Sequence, residues 1–481
     1  MTVLVPPLGG APRTLVEAMD AAAHQHGDRD AYVEGSERLS FAEWIARADR
    51  LAGVLAGRGV DRGDVVAILL PTSIDYAVAY AAIVRAGAVA TGINPRLGPR
   101  EVEAILERAR PRLMITDGAL DHGGVDPALP RLGRHEISSA GARVETRAPF
   151  SPHPTDPVVI IWTSGTTGVP KGAWFDHRNL EAAVRSAGVM SAPYDRRLVG
   201  TPFPHAGYMA KLWDQLAWGS TVVISPTPWT PDDMLRLLVE ERITVAGGVP
   251  AQWAKLLEHP GLERADVSHL RLCLAATAPA APELIARVTA RLRCPMVVRY
   301  AMTESPSITG TDPDDPPEVM FRTVGRPQAG VEILIADERG VAVPAGQVGR
   351  VRVHGGCVMR GYWREPELTA GVLSSDGWLS SGDLGYLDSH GNLVLVGRTT
   401  DLYIRGGYNI YPLEVEQVLS EHPGVDKVAI VGVPAPVIGE IGVAFLVPCD
   451  PDRPPTSQDV RNWVTERLAD YKAPDLSLIH I

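Results

Sequence analysis

An α/β architecture is what this sequence predicts: a large N-terminal domain of doubly wound sheets, a β-rich subdomain, and a small α+β C-terminal domain. Three observations carry that expectation. Through the first hundred residues, helical patterns alternate with short apolar runs, as expected of mostly parallel strands covered by helices on both faces. After about Gly325 the texture changes to short strands punctuated by turns. From about Leu402 a helix, two strands and a final helix form a small unit of their own. A length of 481 residues is a prior for roughly three structural units. The expected boundaries are 1–400 for the large domain and 401–475 for the small one.

The elements follow in order. Leu15, Met19 and Ala22 recur at helical spacing. Ser40 followed by Glu43 is a capping-box pattern, and behind it Trp44, Ala48, Leu51 and Leu55 form one apolar stripe, ended by Gly57 and Gly59. VVAILL (Val65–Leu70) reads as a buried strand, with a helical pattern from Ile74. Residues 119–156, rich in Gly, Pro, His and Arg, read as irregular surface. VVIIWTS (Val158–Ser164) is a strand that runs into a glycine-rich loop. Further strands are TVVIS (Thr221–Ser225), ITVAGGV (Ile243–Val249) and PMVVRYA (Pro295–Ala301). Thr230-Pro231-Asp232 opens a helix: an N-cap, a proline in the first turn, and acids near the positive end of the dipole. VEILIAD, VGRVRVHG and GNLVLVGR are the short strands beyond Gly325, with a turn at His390-Gly391-Asn392. A helix follows Pro412, VDKVAIVGV and IGVAFLVP are strands, and the last helix carries Val460, Trp463, Val464 and Leu468 on one face.

Lys and Arg number 46 against 57 Asp and Glu, a net charge of −11, which argues against a general electrostatic grip on nucleic acid. With 45% hydrophobic and 21% charged residues, the chain is globular rather than disordered. The abundance of alanine and arginine over lysine suggests a GC-rich bacterial genome. Cys273, Cys294, Cys357 and Cys449 show neither metal-ligand nor disulfide spacing. The start lacks a charged segment followed by an apolar one, and no apolar run is long enough to span a bilayer, so the expected location is the cytoplasm.

TSGTTGVPKG (Thr163–Gly172) comes directly after a strand. Glycines let backbone N–H groups approach phosphate closely, hydroxyls add donors, and Lys171 supplies charge. The loop reads as a polyphosphate cradle. It is not the GxxxxGK[ST] loop, because Pro170 precedes the lysine and Gly172 follows it.

At this loop the sequence resembles the adenylate-forming (AMP-binding) superfamily of acyl-CoA synthetases, peptide-synthetase adenylation domains and luciferases. Four more segments extend the resemblance over nearly the whole chain: YAMTES (Tyr300–Ser305), GWLSSGDLGYLDSHGNL (Gly377–Leu393), GRTTD (Gly397–Asp401) and IRGGYNIYPLEVE (Ile404–Glu416). The resemblance implies an acyl-CoA ligase of the fatty-acid–CoA ligase type, using ATP, Mg²⁺ and coenzyme A. A carboxylate first displaces pyrophosphate from ATP, and the CoA thiol then displaces AMP. A free carboxylate is a poor electrophile and AMP a good leaving group. The first step gathers negative charge, which calls for Mg²⁺ and oriented donors.

Carried over residue by residue, the resemblance implies that Thr163, Ser164, Gly165, Thr166, Thr167, Gly168 and Lys171 hold the β- and γ-phosphates. Thr277, Ala278 and Pro279 lie near the adenine, Tyr300 lies against its face, and Ala301 and Met302 adjoin it. Thr303 bonds the α-phosphate and Glu304 helps ligate Mg²⁺. Asp383 accepts from the ribose hydroxyls and Arg398 reaches the ribose. Asp401 is the hinge of a mobile small domain. Gly406 and Gly407 open the pantetheine passage, with Arg405 nearby for CoA phosphates. In PFPHAGY (Pro202–Tyr208), His205 gates a carboxylate pocket lined by Ala206, Gly207, Tyr208, Val249 and Ala301. The catalytic set is thus Lys171, His205, Thr303 and Glu304.

Departures from the family pattern refine the substrate. Ala301 stands where Gly is usual, which bears on discrimination in the pocket. The Pro202–Tyr208 segment holds no acid to pair with an ammonium, which disfavours an amino acid. Ala206 stands where aryl-acid relatives carry Asn, which favours a medium or long aliphatic, or alicyclic, acid. ADYKAP (Ala469–Pro474) resembles the lead-in to the family's last motif, whose Gly-Lys pair does not follow. The expectation is an incomplete C-terminal domain with impaired adenylation. LSLIHI (Leu476–Ile481), which matches a translated sequencing adapter, is then a non-native tail. The expected partners are the acid, ATP and CoA, with no nucleic acid and with a homodimer left open. The rival readings are a non-catalytic nucleotide-binding pseudoenzyme and acyl transfer to a carrier protein's phosphopantetheine.

Overall fold

The computed structural model describes residues 5–118, 125–139, 151–163, 169–275, 282–405, 408–436 and 438–479. Its contacts divide the chain into two compact units. The first comprises Met1–Asp315, Pro327–Glu332 and His354–Leu379, and the second Pro316–Arg326, Ile333–Val353 and Ser380–Ile481.

The first unit is doubly wound α/β. One sheet runs in the order Gly361–Tyr362, Lys171–Asp176, Pro157–Thr163, Val89–Gly92, Val65–Leu69, Leu113–Thr116, Arg131–Gly133. Its centre is parallel, and Pro157–Thr163 with Lys171–Asp176 makes an antiparallel hairpin. A second sheet runs Ser305–Gly310, Met296–Met302, Leu272–Ala275, Val245–Gly248, Arg196–Val199, Thr221–Ile224, Asp30–Glu34, Glu37–Ser40. Val65–Leu69 and Val89–Gly92 are buried along their full length, which is why they show no polar alternation.

Helices start where local chemistry told them to. Ser40 accepts from Glu43 N–H at the head of Phe41–Gly57, and the stripe Trp44, Ala48, Leu51, Leu55 is wholly buried. Thr230 caps Pro231–Glu240 in the same way. Residues 119–156 require a correction, because Arg131–Gly133 is a strand and Arg134–Ser139 a short helix. Three residues carry no readable period. This strand exists because its backbone pairs with Leu113–Thr116, Leu132 opposite Ile115. Cys273, Cys294 and Cys357 are buried, Cys449 is exposed, and all four are free.

In the second unit, one sheet has the order Val331–Ala336, Gly349–Gly355, Leu379–Leu387, Leu393–Arg398. The other has the order Tyr408–Ile410, Tyr403–Arg405, Gly439–Pro448, Val425–Ala435, with Leu476–Ile479 joining Gly439–Pro448 in parallel. Helices Pro412–Ser420 and Ser457–Thr465 cover this second sheet, burying Val415, Leu419, Val460 and Val464 against Tyr403, Ile430 and Leu446. Among the described residues no helix is long and apolar enough to cross a membrane.

Candidate active site

The strand Pro157–Thr163 delivers the glycine-rich loop, and Lys171–Asp176 takes the chain back. Thr163 and Lys171 stand opposite each other in the register, so the two ends of the loop are held together. Ser164, Gly165, Thr166, Thr167 and Gly168 lie outside the described residues. Gly172 closes the hairpin: a Cβ there would fall 2.7 Å from Ile160 Cγ2 and 3.0 Å from the Trp162 ring. That glycine serves packing rather than phosphate.

Lys171 Nζ stands 5.7 Å from the centroid of the Tyr362 ring. Tyr362 in turn donates its hydroxyl to Glu304 Oε1 at 2.8 Å. Tyr362 belongs to the two-residue strand Gly361–Tyr362, which pairs with the hairpin so that Tyr362 faces Ala173. Burial, then the charge and hydrogen bond of Glu304, push the phenol's pKa upward, so it stays protonated and a donor. Glu304 is 8% exposed and follows the strand Met296–Met302, which carries Tyr300, Ala301 and Met302; Thr303 lies between strand and carboxylate. The structure thus links Lys171 and Glu304 through a tyrosine that sequence reasoning missed. Glu304, joined to Lys171 only through the Tyr362 ring, is an oxygen donor of the kind that would suit a hard cation such as Mg²⁺.

His205 precedes the short helix Ala206–Met209. Asn94 Nδ2 lies 3.1 Å from His205 Nε2; an amide nitrogen only donates, so Nε2 accepts and the ring is neutral. Desolvation lowers the pKa of His205 from 6.5, in the same direction. Asn94 is a second residue that no motif flagged. Beyond His205, Ala206 is partly exposed and Gly207 exposed, with open space around Gly207 apart from Thr201 Oγ1 at 3.9 Å. Tyr208 instead packs into the core, stacked on Phe203 at 3.6 Å with its hydroxyl 2.8 Å from that of Tyr32. Val249 ends the strand region Val245–Gly248 and takes Gln252 Oε1 on its N–H at 3.0 Å. Thr277, Ala278 and Pro279 lie outside the described residues.

The second unit holds the remaining candidates. Asp383 and Arg398 are direct partners across two antiparallel strands, with Arg398 Nε 3.3 Å from Asp383 Oδ1. The pair therefore presents an acceptor and a donor together, Asp383 held by its N–H on Ser381 Oγ. Asp401 is exposed and accepts from Thr400 Oγ1 at 2.9 Å. Arg405 is engaged by Asp475, Nη2 to Oδ1 at 2.6 Å and Nε to Oδ2 at 2.8 Å. Gly406 and Gly407 lie outside the described residues. Lys472 holds both carboxylate oxygens of Glu414 at 2.7 Å, a structural tie.

Comparison with known proteins agrees over the length of the chain. Residues 19–363 match the family model of AMP-binding enzymes, and residues 414–480 that of the AMP-binding enzyme C-terminal domain. The chain is 36% identical to a feruloyl-CoA synthase of an Amycolatopsis species, over 92% of this chain and 89% of that one. It is 32% identical to the 3-[(3aS,4S,7aS)-7a-methyl-1,5-dioxo-octahydro-1H-inden-4-yl]propanoyl:CoA ligase of Rhodococcus jostii, over 96% and 94%. Among solved structures, ATP-bound MatB from Rhodopseudomonas palustris superposes with a TM-score of 0.87 at 30% identity, covering 97% of this chain and 95% of that one.

Proposed function

The chain belongs to the family of AMP-binding enzymes, and from that premise we propose how its residues divide the work of an AMP-forming acyl-CoA ligase. The acid's carboxylate oxygen attacks the α-phosphorus of ATP, the bond to the β-phosphate oxygen breaks, and pyrophosphate leaves. The CoA thiol then attacks the acyl carbon; a C–S bond forms, the C–O bond to AMP breaks, and the thiol proton is lost.

Lys171 and the loop after Thr163 hold the leaving pyrophosphate, and Thr303 the α-phosphate. Glu304, fixed by Tyr362, is the carboxylate for Mg²⁺, which when bound would neutralise phosphate charge. Neutral His205, held by Asn94, borders the carboxylate's entry. Asp383 and Arg398 take the ribose, and Asp401 is the hinge between the half-reactions. The observation that carries this reading is the Lys171–Tyr362–Glu304 link at the mouth of the hairpin. The acid we propose is alicyclic or medium-to-long aliphatic, supported by the missing acid in Pro202–Tyr208 and by the ring-bearing propanoate named for the Rhodococcus relative. The relatives are named as a CoA ligase and a CoA synthase, which favours free CoA over a carrier protein as acceptor.

The test is pyrophosphate release with a panel of acids. Lys171→Ala and Glu304→Ala are each expected to lower its rate by about 10²–10³-fold, the scale of losing one charge-stabilising donor. Their unfolding midpoints should stay close to that of the parent. Undiminished release in both variants would sink the phosphate and metal assignments.

A further inference from the structure

Part of the first unit carries charge that the reaction so far does not use. Arg299 stands in the strand Met296–Met302, two residues before Ala301, within a run that is otherwise apolar up to Tyr300. Its guanidinium lies across Gly310 of the neighbouring strand: a Cβ at 310 would sit 2.1 Å from Nη1. It also approaches Gly188, where a Cβ would sit 3.9 Å from Nη2. Two glycines therefore make the room it occupies. Yet Nε and Nη2 are buried and, among the described residues, have no hydrogen-bond partner.

Lys211 opens the helix Leu212–Trp218, one turn after Gly207. Among the described residues it has no hydrogen bond and no carboxylate oxygen within 4.0 Å, although beyond its burial it feels the charges of Asp214, Cys357, Arg299 and Arg197. Asp214 is already spent on others: Arg197 Nη1 lies 2.5 Å from its Oδ2, and Ser191 Oγ bonds it at 2.9 Å. Asp195 is held by Arg271 and Thr244, leaving Asp312 as the carboxylate that draws on Arg299. Burial disfavours both charges; it lowers Lys211 and pulls Arg299 down to about 10.

Two buried cations that lack a hydrogen-bond partner among the described residues are costly in an unliganded fold, and buried polar groups left unsatisfied point to a missing partner. Both stand close in sequence to the pocket residues proposed above: Lys211 comes one turn after Gly207, which is exposed beside His205, and Ala301 comes two residues after Arg299 on the same strand. We propose that Arg299 and Lys211 form the far end of the acyl pocket and select an acid bearing a second oxygen acceptor, a carboxylate or a ketone, remote from the carboxyl that is activated. This rests on the ligase reading above and narrows its substrate class. Arg299 would bond such a group through its fork, and Lys211 as a mobile point charge.

The experiment uses the whole chain and three matched acids: a plain cycloalkyl propanoate, its ring-ketone analogue and its ring-carboxylate analogue. Binding is read by calorimetry and turnover by pyrophosphate release. One acceptor-bearing acid is expected to bind about ten-fold or more tightly than the plain one, the scale of a hydrogen bond to a charged group. Arg299→Met and Lys211→Met should each bring that ratio toward one. The thermal midpoint of Arg299→Met should not fall, because an unpaired buried charge is being removed; a merely structural arginine would lower it. Arg299→Gln serves in the same comparison if the methionine variant fails to fold. A keto preference identifies a keto acid and a carboxylate preference a diacid. Equal binding of the three acids, or a preference unchanged in both variants, overturns the proposal. Failure of every acid to release pyrophosphate overturns the ligase reading instead, and the calorimetric ratio still decides the selectivity.

Discussion

Tyr362 fixes Glu304 through one hydrogen bond of 2.8 Å. A hydrogen bond to a charged group contributes about 1.5–3 kcal/mol, so Tyr362→Phe should free the carboxylate and raise the Mg²⁺ concentration for half-maximal pyrophosphate release by roughly ten-fold. An Mg²⁺ titration of wild type and variant checks this; an unshifted midpoint would reduce Tyr362 to packing. The residue scale is also where the sequence was least even as a guide. Lys171, Glu304 and the Asp383–Arg398 pair were legible because their motifs fix residue type and spacing. Tyr362 and Asn94 were not, since a lone tyrosine or asparagine carries no pattern and gains its partner only when distant strands meet. Arg299 did leave a signal: a cation inside an otherwise apolar strand run.

At the scale of elements, Asp176 joins the hairpin to the helix His177–Arg185. Its carboxylate caps that helix by accepting from Asn179 N–H at 3.0 Å, and it takes Arg360 Nε at 2.8 Å and Arg178 Nη2 at 3.0 Å while 1% exposed. Asp176→Ala removes the cap and the bonds to two half-exposed arginines and should cost about 1–3 kcal/mol. Asp176→Asn keeps the cap and should cost less. Denaturant unfolding of the two variants tests the order. Helices such as Phe41–Gly57 were readable because cap and apolar stripe are written locally. Arg131–Gly133 and Gly361–Tyr362 were not, because two or three residues have no period and their hydrogen bonds belong to the neighbouring strand.

For the molecule as a whole, the α/β class was legible because alternation of helix and buried strand is a pattern of hundreds of residues, beyond the reach of any single misjudged loop. Asp475 contributes to the acid sensitivity of its second unit. Burial alone would raise its pKa, but the hydrogen bonds and charge of Arg405 outweigh burial and hold it below 3.8. A depressed carboxylate stabilises the fold fully above the unfolded pKa and loses that contribution as pH falls through the folded value. Stability should therefore drop below about pH 4, the range of an ordinary aspartate. Asp475→Asn should be less stable than the parent at pH 7 and show a shallower loss on acidification, as read by circular dichroism melts.

The strand Leu476–Ile479 has a consequence for the protein in the test tube. It covers one flank of Val443–Leu446 and, among the described residues, leaves its own outer flank uncovered, with Leu476 and Leu478 53% and 47% exposed. Open backbone donors beside apolar side chains make a template on which another chain's strand can settle. Crowded solutions would therefore begin to clump along this rim, and a lysine in place of Leu478 is the least intrusive guard against it.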